Sequence, residues 1–149
     1  MTRSAAREIA VQMLYALSFE AQTAEEILEE WLASAFYERL AGEDELYGNP
    51  PGPEEAQYIR ALVLGVVDHA PEIDSYIEKY SIGWEFGRIP RTASMAMRVA
   101  MYEVLYRPDV PNAAAINEAV EIEKHYDTRE VVSFVNGILG TFSRAEIVP

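Results

Sequence analysis

The segment 88–106 constrains the fold most, because it reads as one amphipathic helix of about four turns. Pro90 precedes its first turn, and Pro108 ends it because proline cannot continue the hydrogen-bond ladder. Thr92 or Ser94 can cap the first turn. This period of three and four predicts a helix that packs along one face, and the apolar residues that show it are Ala93, Met97, Ala100, Met101, Val104 and Leu105.

The same period recurs along most of the chain, and no alternating run between turn signals indicates a sheet. The sequence therefore predicts an all-α fold of about seven helices in two packed helical subdomains. A threonine followed by a glutamate three residues later, Thr23 and Glu26, forms a capping box that opens a second helix continuing to Phe36. The other helices are predicted near 4–18, from Pro53, from Pro71, from a capping Asn112, and from Asp127 or Thr128.

We expect one domain over 1–149, with an N-terminal subdomain over about 1–84 and a C-terminal subdomain over about 85–149. Trp84 and Phe86 are predicted to fill the joint between the two. The segment 42–53 is rich in glycine, proline and acidic residues, which are typical of a solvated loop. We predict that this acidic loop is mobile and carries no chemistry.

Charge is unevenly distributed over a chain whose formal net charge is −13. The segment 20–55 holds eleven acidic residues and one basic residue, Arg39, so most of the negative charge lies there. The overall charge argues against non-specific binding of nucleic acid but leaves room for a local basic site elsewhere. The absence of cysteine excludes disulfides and thiolate metal sites and fits a cytoplasmic protein. No apolar run approaches the length of a membrane span.

Signatures of an enzyme are missing from the sequence. Gly137 and Gly140 lie in a helical pattern without the following lysine of a phosphate loop. Neither His69 nor His125 has a nucleophile or a second metal ligand at a spacing that is typical of catalytic or metal-binding motifs. No pair of acids is placed in a dry pocket that would raise a carboxyl pKa for acid–base work. We therefore predict no catalytic residue, no cofactor and no metal site.

Two groups of residues combine cations with aromatic rings, and a third combines an aromatic ring with an amide, which are the side chains that single-stranded RNA sites use. One group forms a line on the central helix, at intervals of four, three and four: Arg91, Met95, Arg98 and Tyr102. The same spacing also fits a solvated edge, and the whole chain also fits a helical protein-docking module. The candidate residues are Arg3, Arg7, Gln12 and Tyr15 in the first group, Arg88, Arg91, Arg98 and Tyr102 in the second, and Phe134 and Asn136 in the third.

Five stretches, in this order, resemble the NusB family of bacterial transcription antitermination factors. They are AREIAVQMLY at 6–15, RIPR at 88–91 leading into RVAMYEVLY at 98–106, DVP at 109–111, AINEAVE at 115–121 and FVNGIL at 134–139. They are distributed over nearly the whole chain, and the acidic second helix and its loop are the part without a recognisable match. The resemblance implies an all-helical, non-catalytic protein that binds the boxA element of nascent ribosomal RNA leader transcripts with the ribosomal protein NusE. It also implies that the pair joins the elongating RNA polymerase complex and suppresses premature termination.

The resemblance also assigns roles to particular residues. The family's arginine-rich N-terminus falls on Arg3 and Arg7, its RNA-contacting aromatics fall on Tyr15 and Phe134, and Arg98 matches a position near the RNA and partner surfaces. Here Ser4 and Ala5 interrupt the N-terminal arginine series. Because fewer phosphate contacts mean lower affinity and a shallower salt dependence, we predict weak RNA binding without the basic partner.

Three interpretations remain at the level of sequence. The first is a free-standing antitermination factor, which the length favours. The second is a protein-docking module of the same fold with little or no RNA binding. The third is an enzyme-associated domain, because similar domains precede ribosomal RNA methyltransferases, although no cofactor-binding sheet follows Pro149 here. An apolar stripe serves a core or a homodimer interface equally well, so a homodimer also fits the sequence.

Overall fold

The computed structural model describes residues 1–19, 21–40, 42, 44–84 and 88–147. Within these ranges the regular structure is helical and contains no strand, which confirms the predicted all-α class. Phe86, predicted at the joint between subdomains, lies outside the described residues. The α-helices are α1 (Arg3–Leu17), α2 (Ala24–Trp31), α3 (Ser34–Leu40), α4 (Pro53–Asp68), α5 (Ala70–Tyr80), α6 (Arg91–Tyr106), α7 (Asn112–Glu123) and α8 (Arg129–Glu146).

The described residues contain eight α-helices instead of about seven because the predicted second helix is two, α2 and α3. In a continuous helix, Leu28 and Tyr37 would lie about 180° apart, since nine residues separate them. The chain instead leaves the helix after Trp31 and begins α3 at Ser34. Both Leu28 and Tyr37 are buried as a result. The prediction of one helix to Phe36 was therefore wrong.

Local capping signals were predicted with mixed success. The capping box of α2 is confirmed: Thr23 Oγ1 accepts from the Glu26 backbone N–H at 3.1 Å, and Glu26 Oε1 accepts from the Thr23 backbone N–H at 3.1 Å. The predicted caps of α6 and α7 were wrong. Both helices begin directly after a proline with extended backbone, Pro90 or Pro111. Thr92, Ser94 and Asn112 are thus already inside their helices and cannot serve as N-caps.

The first compact unit, Met1–Val67, contains α1 to α3 and most of α4. Its core is apolar and comes mainly from α1, α2 and α4, each of which has residues on one stripe that water does not reach, and Tyr37 of α3 is buried as well. The fully buried residues of this core include Ile9 and Met13 from α1, Ile27 and Leu28 from α2, and Ile59, Leu62 and Val63 from α4. This arrangement fixes the orientation of α1, which carries all four N-terminal candidate residues.

The second compact unit, Asp68–Pro149, is built around α6, which packs against α5, α7 and α8. Met97 and Met101 of α6 are fully buried. The units divide after Val67, whereas the sequence places a subdomain boundary near residue 84. The difference is α5, which packs against α6 and α8. That the two parts act as subdomains over 1–84 and 85–149 stays a prediction.

The acidic loop 42–53 contains more order than a solvated loop requires. A 3-10 helix spans Glu45–Tyr47, and Asp44 caps it by accepting from the Leu46 backbone N–H at 2.9 Å. Tyr47 is buried and its hydroxyl donates to the side-chain oxygen of Gln12 on α1. Glu43 lies outside the described residues, and the mobility of this loop stays a prediction. Across the described part of the chain, the helices are too short or too polar to cross a bilayer.

Candidate nucleic-acid interface

Two predicted RNA-binding arginines, Arg3 and Arg7, meet over one aromatic ring in the first unit. The guanidinium carbon of Arg3 lies 4.3 Å from the ring centre of Tyr58 on α4, and that of Arg7 lies 5.5 Å from it. Arg3 is exposed, whereas only 4% of the Arg7 surface is accessible. The shared ring holds both cations by cation–π attraction. Of these two arginines, Arg3 is therefore the one that solvent reaches.

Acidic side chains share the surroundings of Arg3. A small cavity of about 160 Å³ is lined by Met1, Arg3, Glu54, Glu55 and Tyr58. Two carboxylates beside one guanidinium lower the local positive potential. A phosphate that reaches Arg3 therefore meets a weaker field than the N-terminal arginines alone would create.

Farther along α1, Gln12 and Tyr15 have different surroundings. Gln12 is partly buried and accepts the hydrogen bond from Tyr47. Tyr15 is 40% exposed, and its ring contacts that of Phe19 edge to face, with 5.1 Å between centres and 63° between planes. Sequence reasoning missed Phe19 because it follows the end of the helix. Its spacing of four from Tyr15 was the available signal.

In the second unit, the predicted line of candidates on α6 is not a continuous cationic surface. Met95 is buried. Arg98 donates to both oxygens of Asp74 on α5, from Nε at 2.7 Å and from Nη2 at 2.6 Å. Tyr102 is partly buried and its ring centre lies 6.1 Å from that of His69. The exposed cations of this group are Arg88 and Arg91.

The third candidate group lies on α8 and faces two ways. The partly buried ring of Phe134 packs against the ring of Trp84, with 4.5 Å between the ring centres and an angle of 35° between the ring planes. Asn136 is exposed and lines a groove of about 700 Å³ between α7 and α8, together with Asn117 and Lys124. Two residues of separation turn a helix by about 200°, so Phe134 and Asn136 do not share one face.

A buried acid, Glu123 at the end of α7, escaped the sequence analysis. Its side chain is fully buried, and no described residue donates a hydrogen bond to either of its carboxyl oxygens. Burial raises the pKa of Glu123 to about 9. The Asp127 carboxyl adds to this rise, because a protonated Glu123 can donate to it and because two like charges repel.

Two carboxyl groups do not make a metal site. Glu123 and Asp127 are neighbours, but the described ranges hold no cluster of three or more His, Asp or Glu side chains that could bind a metal ion. The physical role of the pair is therefore that of a buried titratable group.

Similarity to known proteins extends over the whole helical array. A curated relative, "Transcription antitermination protein NusB" from Acetivibrio thermocellus, is 36% identical over 148 residues, which cover 99% of this chain and 92% of the relative. The solved structure of T. maritima NusB superposes with a TM-score of 0.80 at 27% identity, covering 97% of this chain and 92% of that one. A chain in the crystal structure of a plectonemic RNA supercoil gives a TM-score of 0.78 at 26% identity, covering 98% and 96%.

The family assignment rests on nearly the full length of the chain. The sequence model of the NusB family matches residues 4–144. That match runs from the first turn of α1 to the last turn of α8. The resemblance drawn from five separate stretches is thus confirmed by a continuous one. The chain belongs to the NusB family.

Proposed function

We propose that this protein is a cytoplasmic transcription antitermination factor that binds the boxA element of nascent ribosomal RNA together with the ribosomal protein NusE. The observation that carries the proposal is the family match over residues 4–144. The name of the A. thermocellus relative, a transcription antitermination protein, supports it. In this role the protein catalyses nothing, needs no cofactor and reaches RNA polymerase through the RNA and its partner.

The α1 surface is the part of the chain best suited to the RNA. Arg3 is an exposed cation and Tyr15 an exposed ring on one helix, which provides a phosphate contact and a stacking contact. Arg7 is covered, but its guanidinium lies over the same Tyr58 ring as that of Arg3 and adds positive charge near Arg3. Phe134 stays a predicted RNA contact, and Gln12 stays a candidate for the RNA or the NusE surface.

In the second unit, the predicted RNA-binding arginine is engaged in an ion pair within the fold. Arg98 is already held by Asp74, so we propose that its part is to orient α5 against α6. Arg88, Arg91, Tyr102 and Asn136 stay candidates for the RNA or the NusE surface. The alternative, a protein-docking module with little RNA binding, is favoured by the covered Arg7 and the acids beside Arg3.

Fluorescence anisotropy with a short single-stranded boxA RNA and a scrambled control tests the proposal, with and without NusE at two salt concentrations. We expect weak binding by the protein alone, a preference for boxA, and tighter binding with NusE. Arg3→Ala should weaken boxA binding several-fold and reduce its salt dependence, since it removes one phosphate contact. Arg60→Ala is the matched control, because Arg60 is a cation of the same unit that pairs with Glu25 at 2.9 Å.

Two outcomes would contradict the proposal. Equal, weak binding to both RNAs that disappears at physiological salt would leave the protein-docking module as the better account. Tight boxA binding without NusE would contradict the predicted dependence on the basic partner.

A further inference from the structure

We propose that Phe19 is a second base-stacking residue, and that Phe19 and Tyr15 together hold an unpaired RNA base at the end of α1. This proposal rests on the RNA-binding function proposed above and adds a contact to the same site. Its starting point is the unusual exposure of Phe19, of which 61% is accessible. An exposed phenylalanine has no polar group that water can satisfy, so its ring gains from being covered.

Exposure alone does not distinguish Phe19 from other surface aromatics, but its neighbour does. Among the described residues, the other exposed aromatic rings are those of Tyr15, Tyr106 and Tyr126, each of which carries a hydroxyl. Tyr106 stacks on His69 and donates its hydroxyl to Glu72. Within this group, only Phe19 and Tyr15 contact each other. The pair therefore forms a single aromatic surface.

The backbone holds the Phe19 ring in place beside Tyr15. The chain leaves α1 after Leu17, but Ser18 keeps the turn closed by donating its hydroxyl to the Tyr15 carbonyl at 2.6 Å. The Phe19 backbone N–H donates to the Ala16 carbonyl at 3.1 Å. These bonds fix Phe19 less than one turn beyond the helix. A ring that is positioned before binding loses less conformational freedom when a base stacks on it.

The angle between the rings suits a flat ligand. Their planes meet at 63°, so one ring can lie against the face of a base while the other meets the base's edge. Every nucleobase has a π-face, and stacking on aromatic side chains is the sequence-tolerant part of single-strand recognition. The surface therefore fits an unpaired base better than it fits a double helix, whose bases are already stacked.

Charge on the same helix favours RNA over an apolar protein segment as the occupant. α1 carries two arginines, Arg3 and Arg7, and one glutamate, Glu8, in a chain whose net charge is −13. Arg3 is the exposed arginine of the two, and the twelve residues from Arg3 to Tyr15 span about 18 Å of helix. A strand that stacks one base on the aromatic pair can therefore place the phosphate of a nearby nucleotide toward Arg3.

Phe19→Ala tests the proposal in the full-length protein with NusE present, using boxA RNA that carries 2-aminopurine at one position at a time. We expect affinity to fall at least about 5-fold, the lower end of the loss of one stacked base. Quenching of 2-aminopurine at the stacked position should also be lost. Phe19→Trp should restore both. Tyr126→Ala is the matched control, because Tyr126 is an exposed aromatic (39%) on the connection between α7 and α8.

The design separates failure of this proposal from failure of the proposed function. If the wild-type protein with NusE binds no RNA, both are overturned. If it binds RNA and Arg3→Ala weakens that binding while Phe19→Ala changes neither affinity nor quenching, only the stacking role of Phe19 is overturned. A Phe19→Ala variant that loses NusE but keeps its RNA affinity would also overturn it and would assign the aromatic pair to protein docking.

Discussion

Glu123→Gln is expected to make the protein more stable than the wild type at pH 8, by roughly 2 kcal/mol. Glu123 is fully buried, and no described residue donates a hydrogen bond to its carboxyl oxygens. A charged carboxylate there would be very unfavourable, so the folded protein keeps Glu123 protonated. Glutamine has nearly the same shape and carries no charge, and its amide can donate to Asp127.

The sign of the pH dependence follows from the raised pKa. Burial raises the pKa of Glu123 from 4.5 to about 9, so between these values the folded state binds a proton that the unfolded state has released. The free energy of unfolding therefore falls as pH rises through this window. Below pH 4.5 both states are protonated and the penalty disappears. The benefit of Glu123→Gln should thus be largest at pH 8 and nearly absent at pH 4.5.

Urea denaturation of wild type and Glu123→Gln at several pH values between 4.5 and 8 measures this effect. Glu121→Gln is the matched control, because Glu121 is an exposed residue of the same helix that pairs with Lys124. Loss of the exposed Glu121–Lys124 ion pair should change the free energy of unfolding by about a few tenths of a kcal/mol at most. Parallel pH profiles for wild type and Glu123→Gln, or a less stable variant at pH 8, would contradict the assignment of Glu123 as a buried neutral acid.

Arg98→Leu is expected to lower the free energy of unfolding by about 2 kcal/mol. The guanidinium makes two short hydrogen bonds to Asp74, and both side chains are mostly shielded from water. Removing the arginine leaves a carboxylate without its main partner between α5 and α6. Thermal or urea denaturation measures the loss, and Arg98→Lys should recover only part of it because lysine cannot reproduce the two-pronged contact.

The double variant Arg98→Leu with Asp74→Leu separates the structural role of Arg98 from its predicted RNA role. Because no charge is left unpaired, it should be more stable than Arg98→Leu alone. If its boxA affinity equals that of the wild type, Arg98 acts through the fold. A folded double variant that has lost RNA binding would instead support the direct RNA contact implied by the family resemblance.

The sequence predicted those parts of the fold that depend on nearby residues. The capping box of α2 involves two residues three apart, and its hydrogen bonds form as expected. The apolar spacing of α6 predicts the burial of Met97 and Met101, and both are fully buried. It does not predict the burial of Ser94 and Glu103, which follows because α6 packs against three helices and not along one face alone. Helix boundaries after proline were less accurate, because Pro90 and Pro111 take the capping position that polar neighbours were expected to fill.

Contacts between distant segments could not be predicted in this way. Arg98 and Asp74 are 24 residues apart, and nothing in either stretch indicates that they meet. The charge and position of Arg7 predict a surface cation, but its guanidinium lies against the Tyr58 ring of α4 and its surface is almost completely covered. One sequence does not show which surface a second helix will occupy.

Glu123 marks a case where the signal was present and was not used. Ala115 and Ala119 are one helical turn apart on α7, and Glu123 lies one further turn along the same stripe. Ala115 and Ala119 are buried as the period predicts, and so is Glu123. A glutamate is ordinarily expected to face water, whereas its position in the helical period predicts burial. A charged residue four positions after a buried alanine lies on the buried stripe of its helix. Its side chain can therefore be buried with a shifted pKa as readily as it can face solvent.

Transcription in vitro through a terminator placed downstream of a boxA-containing leader tests the central claim most directly. With purified RNA polymerase, NusE and the other elongation factors present, adding this protein should increase readthrough on the boxA template. It should have no effect when boxA is scrambled, and Arg3→Ala with Tyr15→Ala should reduce the effect. Unchanged readthrough on the boxA template, under conditions where a NusB relative is active, would contradict the assignment of antitermination to this protein.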